Sequence, residues 1–188
     1  MSAAAITWGL GGAAALLALW ALAAYNSLIG KRNALANAES GVDVQLRKRF
    51  DLIPNLVSAV KGYMAHERDL LARLAEIRSE ALNARAARRA ALAEEARGAM
   101  ETVFAAVEAY PELKASANVM HLQRALAETE EQIAAARRFF NAAVTSYNDA
   151  VQTFPTSLVA GAFGFAPRGW FAADAAERAR PDATFTDQ

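Results

Sequence analysis

Residues 119–154 read VMHLQRALAETEEQIAAARRFFNAAVTSYNDAVQTF, and one row of large side chains returns every seven residues. Val119, Leu126, Ile133, Phe140, Tyr147 and Phe154 form that row, and Leu122, Thr129, Ala136, Ala143 and Ala150 stand three residues after its first five members. Only a helical period brings both rows onto one face, so this is the seam of an α-helix packed against other helices. The small side chains of the second row let a neighbouring helix approach closely. Such a helix spans about 54 Å at about 1.5 Å per residue. Pro155 stops it.

The rest of the chain carries the same period. Tyr110-Pro111 marks a turn, and Leu92, Ala96, Ala99, Val103 and Val107 place a second helix over residues 86–107. Earlier, Leu28, Leu35, Val42, Leu46, Ile53, Val57, Val60, Leu71 and Leu74 recur mostly at three- and four-residue spacing, which predicts a first helix running from Lys31 toward Asn83. Pro54 interrupts it. Proline lacks the N–H and clashes with the carbonyl four residues back, here Phe50, so a kink or break is expected at 50–54. Asp51 is placed to cap a restarted helix. An unbroken first helix would project ~80 Å. The third would run outward beside it, so the tail after Pro155 would begin far from the bilayer. A sharp turn at Pro54 would instead give four shorter antiparallel helices. A short further helix is expected around Phe171–Arg180.

Met1–Gly30 contains no charged side chain; the 20 basic and 20 acidic residues all follow it. Ala3–Tyr25 exceeds the roughly 20 apolar residues that cross about 30 Å of hydrocarbon as a helix. A soluble core helix rarely stays uncharged for so long, because one face meets solvent. Ala21-Leu22-Ala23 resembles a signal cleavage site, but Met1–Thr7 lacks a positive n-region, which favours an uncleaved anchor. Lys31, Arg32, Arg47, Lys48 and Arg49 follow the span and no Lys or Arg precedes it. That asymmetry predicts a single-pass protein of the cell (inner) membrane with its N-terminus outside and the bundle cytoplasmic. Tyr25, Lys31 and Arg32 fall at the membrane interface. The expected fold is all-α: an N-terminal transmembrane helix continuing into an elongated antiparallel three- to four-helix bundle. Its expected parts are an anchor over 1–30, a bundle over 31–154 and a tail over 155–188.

Formal net charge is zero, so no global field favours nucleic acid. The absence of cysteine excludes disulfides, thiolate metal sites and a cysteine nucleophile. His66-Glu67 begins like a zincin helix, but Leu70 stands where the second histidine belongs. No phosphate-loop or nucleophile-elbow pattern occurs. Glu128, Glu130 and Glu131 read as a solvated helix face. No cofactor and no small-molecule substrate is therefore expected. The expected partners are the lipid bilayer and either further copies of the chain or another protein at the membrane.

Two polar or aromatic stretches stand out. Arg47-Lys-Arg-Phe-Asp-Leu-Ile-Pro-Asn-Leu56 places Arg49, Asp51, Pro54 and Asn55 together, with Lys61 and His66 nearby. Its charges either pair with glutamates of other helices or meet a partner. Leu158-Val-Ala-Gly-Ala-Phe-Gly-Phe-Ala-Pro167, followed by Trp170-Phe171, reads as an apolar loop. Phe163, Phe165 and Trp170 there either cover a bundle end or form a docking surface.

Several segments together resemble the LemA family of bacterial membrane proteins. They are Tyr25-Asn-Ser-Leu-Ile-Gly-Lys-Arg-Asn33, the block from Val42 through Asp51-Leu-Ile-Pro-Asn-Leu-Val57, Val60-Lys-Gly-Tyr-Met-Ala-His-Glu67, Ala109-Tyr-Pro-Glu-Leu-Lys-Ala115, Thr129–Arg138 and Ser146-Tyr-Asn148. The resemblance implies one N-terminal membrane helix followed by a long helical bundle, with no established enzymatic activity. It also brings associations with magnetosome membranes in one branch and with membrane proteolysis in others. Phe139-Phe140-Asn141 departs from the Tyr-Asn pair common there and reads as packing variation. The leading expectation is a non-enzymatic membrane scaffold. The alternative is a regulator or accessory subunit of a membrane protease, or an enzyme using Asp51, Asn55, Lys61 and His66.

Overall fold

Every regular element among the described residues is a helix, as the spacing of apolar residues requires. The computed structural model describes residues 3–64 and 66–171. In chain order the helices are α1 (Ala3–Val60), α2 (Arg68–Asn83), α3 (Ala86–Val107), α4 (Pro111–Lys114), α5 (Ala117–Gln152) and α6 (Thr156–Ala162). They divide into two compact units, one of residues 36–139 and one combining residues up to 35 with those from 140 onward.

In the 36–139 unit, pairs of side chains fix the direction of each helix. Arg73 of α2 binds Glu95 of α3, and Arg88 of α3 binds Glu80 of α2, so these helices are antiparallel. Arg89 of α3 binds Asp43 of α1 at 3.0 Å, and Arg49 of α1 reaches the Ala93 carbonyl of α3, so α1 and α3 run parallel. Lys48 bonds Gln132 at 3.3 Å and Arg49 bonds Glu130, while Asn55, Ser58 and Ala59 share a cleft with Asn118, His121 and Leu122. Rising numbers in α1 meet falling numbers in α5, which makes that pair antiparallel. The result is an up-down-up-down four-helix bundle with short connections. Leu46, Ile53 and Leu56 of α1, Leu74 and Ile77 of α2, Leu92 and Met100 of α3, and Ile133 of α5 are almost fully buried in its core.

Pro54 does not break the chain's first helix. It lies inside α1, which continues to Val60, so Asp51 is a mid-helix residue and caps nothing. The proline removes one backbone bond, yet its exposed position leaves the ring on the solvent side. On the other side, Phe50, Ile53 and Leu56 are buried, and that burial holds the helix through the defect. The break comes instead at residues 61–67, where Tyr63 and Met64 both donate backbone bonds to the Val60 carbonyl and Met64 folds into the core. The single helix from Lys31 to Asn83 is thus two, α1 and α2.

In the other unit α1 and α5 are again antiparallel, with Lys31 Nζ donating to Ser146 Oγ at 2.7 Å. Leu28 and Leu35 of α1 face inward, as do Phe140, Val144, Tyr147 and Val151 of α5. Of the expected second row, Leu122 and Thr129 are buried, whereas Ala136, Ala143 and Ala150 are only half-buried. A helix with 3.6 residues per turn drifts ~20° per heptad against a strict seven-residue repeat, so the inward position moves one residue on, to Val144 and Val151. Phe154 lies beyond the end of α5 and is 75% exposed.

The apolar segment expected to be a loop contains a short helix, α6, with Val159 and Ala160 turned inward. It lies beside Tyr25, at the end of the uncharged run of α1. Because α5 runs back against α1, the Phe163 ring stands 4.8 Å from Tyr25. Residues 172–180 of the helix expected after Phe171 lie outside the described residues.

Replacing Pro54 restores a donor without disturbing the buried face. Pro54→Ala is expected to raise stability by about 1–2 kcal/mol, read from thermal unfolding of the full chain in detergent. An unchanged or lowered midpoint would show that the proline geometry is part of the packing.

Candidate functional site

Arg49 is the largest fully buried side chain, only 1% exposed, in the core of the 36–139 unit. It reaches that position because it follows Leu46 by three residues and precedes Ile53 by four, on the inward face of α1. Opposite it α3 offers Ala93 and Ala96, which are small enough to admit a guanidinium. Nη1 donates to the Ala93 carbonyl at 2.7 Å, Nη2 binds Glu130 of α5, and Glu94 of α3 lies 3.9 Å from Nη1. Glu94 also binds Arg137 of α5 and, at 3.1 Å, Arg97 of its own helix. Two carboxylates and two inward arginines thus link α1, α3 and α5 in one charge-balanced cluster.

Burial pushes the Glu94 carboxyl up, but hydrogen bonds from Arg137 and Arg97, with the nearby positive charge of Arg49, outweigh it and hold the group below its ordinary 4.5. Glu94 is therefore ionised at neutral pH. The cluster has the features of a structural lock: its charges are paired across three helices and its central guanidinium is closed to solvent, although Arg49 Nε and Glu130 Oε1 make no hydrogen bond among the described residues. A buried ion pair contributes little net stability yet is costly to break.

The other sequence candidates of this region are not gathered into one site. Asp51 borders a surface cleft with Ser40, Asp43, Arg47, Lys48 and Arg89, whereas Asn55 borders a second one with His121. Lys61 and His66 are exposed in the turn between α1 and α2. Pro54 is exposed on α1. Among the described residues no group of three or more His, Cys, Asp or Glu side chains is arranged to hold a metal ion.

A second cluster belongs to the unit that holds both chain ends. After α6 the backbone turns at Gly164, whose φ of 72° suits glycine, and continues as an extended segment along α5. Asn148 clamps one residue of it at both backbone groups: Nδ2 donates to the Arg168 carbonyl at 2.9 Å, and the Arg168 N–H donates to Oδ1 at 2.8 Å. Asn141 treats Phe171 the same way, at 3.2 and 2.8 Å. Between them the Trp170 indole N–H donates to Thr145 at 3.1 Å. The spacings match, because seven helical residues rise about 10.5 Å and three extended residues cover about 10 Å.

The clamp is reinforced by aromatic contacts. Phe171 meets Phe140 edge to face at 5.9 Å. Tyr25 contacts Phe163 at 4.8 Å and Phe165 at 5.9 Å, and the Arg32 guanidinium lies 5.6 Å from the Phe165 ring centre. Tyr25, Arg32, Phe163 and Phe165 are thus brought together, while Lys31 and Trp170 are tied to α5 through Ser146 and Thr145.

Sequence reading missed Glu94 and Glu130 as partners of Arg49, Arg137 as a partner of Glu94, and Asn141 and Asn148 as clamps. Glu130 is not part of a uniformly solvated acidic face; it turns toward Arg49, while Glu128 and Glu131 are exposed. A signal existed for all of these except Glu94. Glu130 and Arg137 follow the seam residues Leu126 and Ile133 by four, where the drifting seam turns inward. Phe140-Asn141 and Tyr147-Asn148 repeat an aromatic–asparagine pair at seven-residue spacing. Phe140-Asn141 is therefore more than packing variation.

The family model described as the LemA family matches residues 38–185, which include both the arginine cluster and the asparagine clamp. The chain is similar to Protein LemA of Metamycoplasma hominis, at 27% identity over 140 residues, covering 72% of this chain. The chain spans 63% of the length of that relative.

Breaking the arginine cluster and replacing it have different expected costs. Glu130→Ala should destabilise the chain by about 2–4 kcal/mol, and the double variant Arg49→Met/Glu130→Leu should recover most of that loss. Denaturant unfolding measures both, and equal losses would refute the lock. Asn148→Ala frees both backbone groups of Arg168, so trypsin is expected to cut after Arg168 roughly tenfold faster, one missing clamp being worth about 1.4 kcal/mol. Unchanged cleavage would show that the aromatic contacts alone hold the segment.

Proposed function

The chain belongs to the LemA family, and on that premise we propose that it works as a membrane-anchored helical scaffold without catalytic activity of its own. The observation that carries this reading is the surface of α1. One helix contains the uncharged run and also supplies core residues of the four-helix bundle. From Trp8 to Trp20 every residue is exposed, including Leu10, Leu16, Leu17 and Leu19. A soluble core helix would have these side chains covered; apolar side chains exposed on every face suit a hydrocarbon surround. By length and composition this helix is able to cross a membrane.

The positive residues support an orientation with the bundle in the cytoplasm, since Lys31 and Arg32 follow the run and none precedes it. Within the bundle, the titratable side chains that lie deepest are committed to one another, which favours a rigid presenting surface over an acid–base site. Its partners are proposed to be further copies of the chain or another membrane-associated protein.

The chain has no cysteine, so single introduced thiols report location cleanly. With a membrane-impermeant maleimide on intact spheroplasts, Ser2→Cys is expected to label and Ser79→Cys to label only after lysis. The reverse pattern would invert the orientation, and recovery in the soluble fraction would end the anchor reading. Crosslinking in mild detergent should yield discrete higher-mass products; a strictly monomeric, partnerless chain would remove the scaffold.

A further inference from the structure

We propose that residues 150–167 form a second membrane contact, an interfacial foot whose aromatic side chains enter the lipid boundary beside the end of the spanning segment. The inference rests on the membrane-anchored reading and adds a site to it. No charged residue occurs between Asp149 and Arg168, so the chain has a second uncharged stretch besides Met1–Gly30. The two stretches meet, with Phe163 and Phe165 against Tyr25.

The foot is only half covered by protein. Val159 and Ala160 of α6 face inward, whereas Phe154, Leu158 and Phe163 are 75%, 64% and 63% exposed. An exposed apolar group of this kind marks a contact. Continuity with the spanning segment says what covers it. A run of ~20 residues counted back from Tyr25 fills the hydrocarbon thickness, so a bilayer that covers Leu16, Leu19 and Leu22 ends at the level of Tyr25 and the Phe163 ring touching it.

The polar groups fit the same boundary. Lys31 and Arg32 lie roughly 10 Å farther along α1, within the headgroup layer. Arg32 lies over Phe165, which joins a cation to the aromatic foot at that depth. The Trp170 indole is hydrogen-bonded through its N–H while its ring stays exposed, an arrangement suited to an interfacial belt. The occupant is therefore a phospholipid leaflet, with anionic headgroups favoured by Lys31 and Arg32.

Depth-resolved fluorescence quenching tests this in the full chain, reconstituted in phosphatidylcholine–phosphatidylglycerol vesicles. Two reporters separate the foot from the anchor. One keeps only Trp20, through Trp8→Phe and Trp170→Phe. The other removes all three tryptophans as phenylalanine and carries Phe163→Trp, with Leu158→Trp in the same background as a second foot probe. Both foot probes should be blue-shifted and quenched roughly twofold by lipids brominated near the headgroup, and less by lipids brominated deep in the acyl chain, as for rings lying about 5–10 Å into the boundary. Trp20 should be quenched in the same vesicles. Quenching of Trp20 with neither foot probe quenched would overturn the foot and leave the anchor standing. Blue-shifted but unquenched foot probes that respond to protein dilution would assign the patch to a second copy. No quenching of any reporter would remove the anchor and the foot together.

Discussion

The direction of α5 against α1 is the constraint from which most of the structure follows. In the 36–139 unit it appears as Arg49 meeting Glu130 and Lys48 meeting Gln132; in the other unit it appears as Lys31 meeting Ser146. Helices joined by short connections pack as antiparallel neighbours, and four of them return the last beside the first. The consequence reaches beyond the bundle. A final helix running back along α1 delivers the residues after Pro155 to Tyr25, where an apolar segment finds both aromatic contacts and the end of an uncharged helix.

Two kinds of polar device hold the helices in register. The Arg49 cluster acts in a water-poor core, where an unpaired charge is expensive and partners must arrive in the right geometry. Its guanidinium ties the backbone of α3 and a carboxylate of α5 to α1, so sliding any of the three helices breaks a bond in the interior. The asparagine clamp works differently. A carboxamide has one acceptor and one donor end, which match the C=O and N–H of a single extended residue. Because it reads backbone and not side chains, it leaves the identities of residues 168–171 free for other roles, including the exposure of Trp170.

Local chemistry made much of this legible and hid particular parts. Helix α3 is legible toward its C-terminal end, because Leu92, Ala96, Val103 and Val107 keep one face and Tyr110-Pro111 follows. Arg85, Arg88 and Arg89 obscure its start by placing cations where the helix dipole disfavours them. Pro54 misled, because the cost of a mid-helix proline of about 3 kcal/mol is smaller than the gain from burying the Phe50, Ile53 and Leu56 side chains together. The real break at 61–67 carries a weaker local signal, with Gly62 its one strong punctuator. The sequence reads as a loop at α6 because seven residues with a glycine and no charge have little helical preference of their own; inward packing of Val159 and Ala160 makes it a helix. The arginine cluster was half visible: Arg49 sits on the inward face in the sequence, but its partners lie on other helices at positions that pure heptad counting places outside.

What the sequence alone determined is the class of the protein. Apolar period, the uncharged opening run, the lack of cysteine and the motif blocks require an all-α chain of the LemA family with one helix fit for a membrane, since these depend only on which residues are near each other along the chain. Tertiary structure decided what depends on helices meeting: that α1 continues through Pro54, that Glu130 faces Arg49, and that Asn141 and Asn148 hold the returning segment. Above all it decided that the apolar residues near the C-terminal end meet Tyr25. Two stretches more than a hundred residues apart share a level only because an antiparallel pair of helices brings them there.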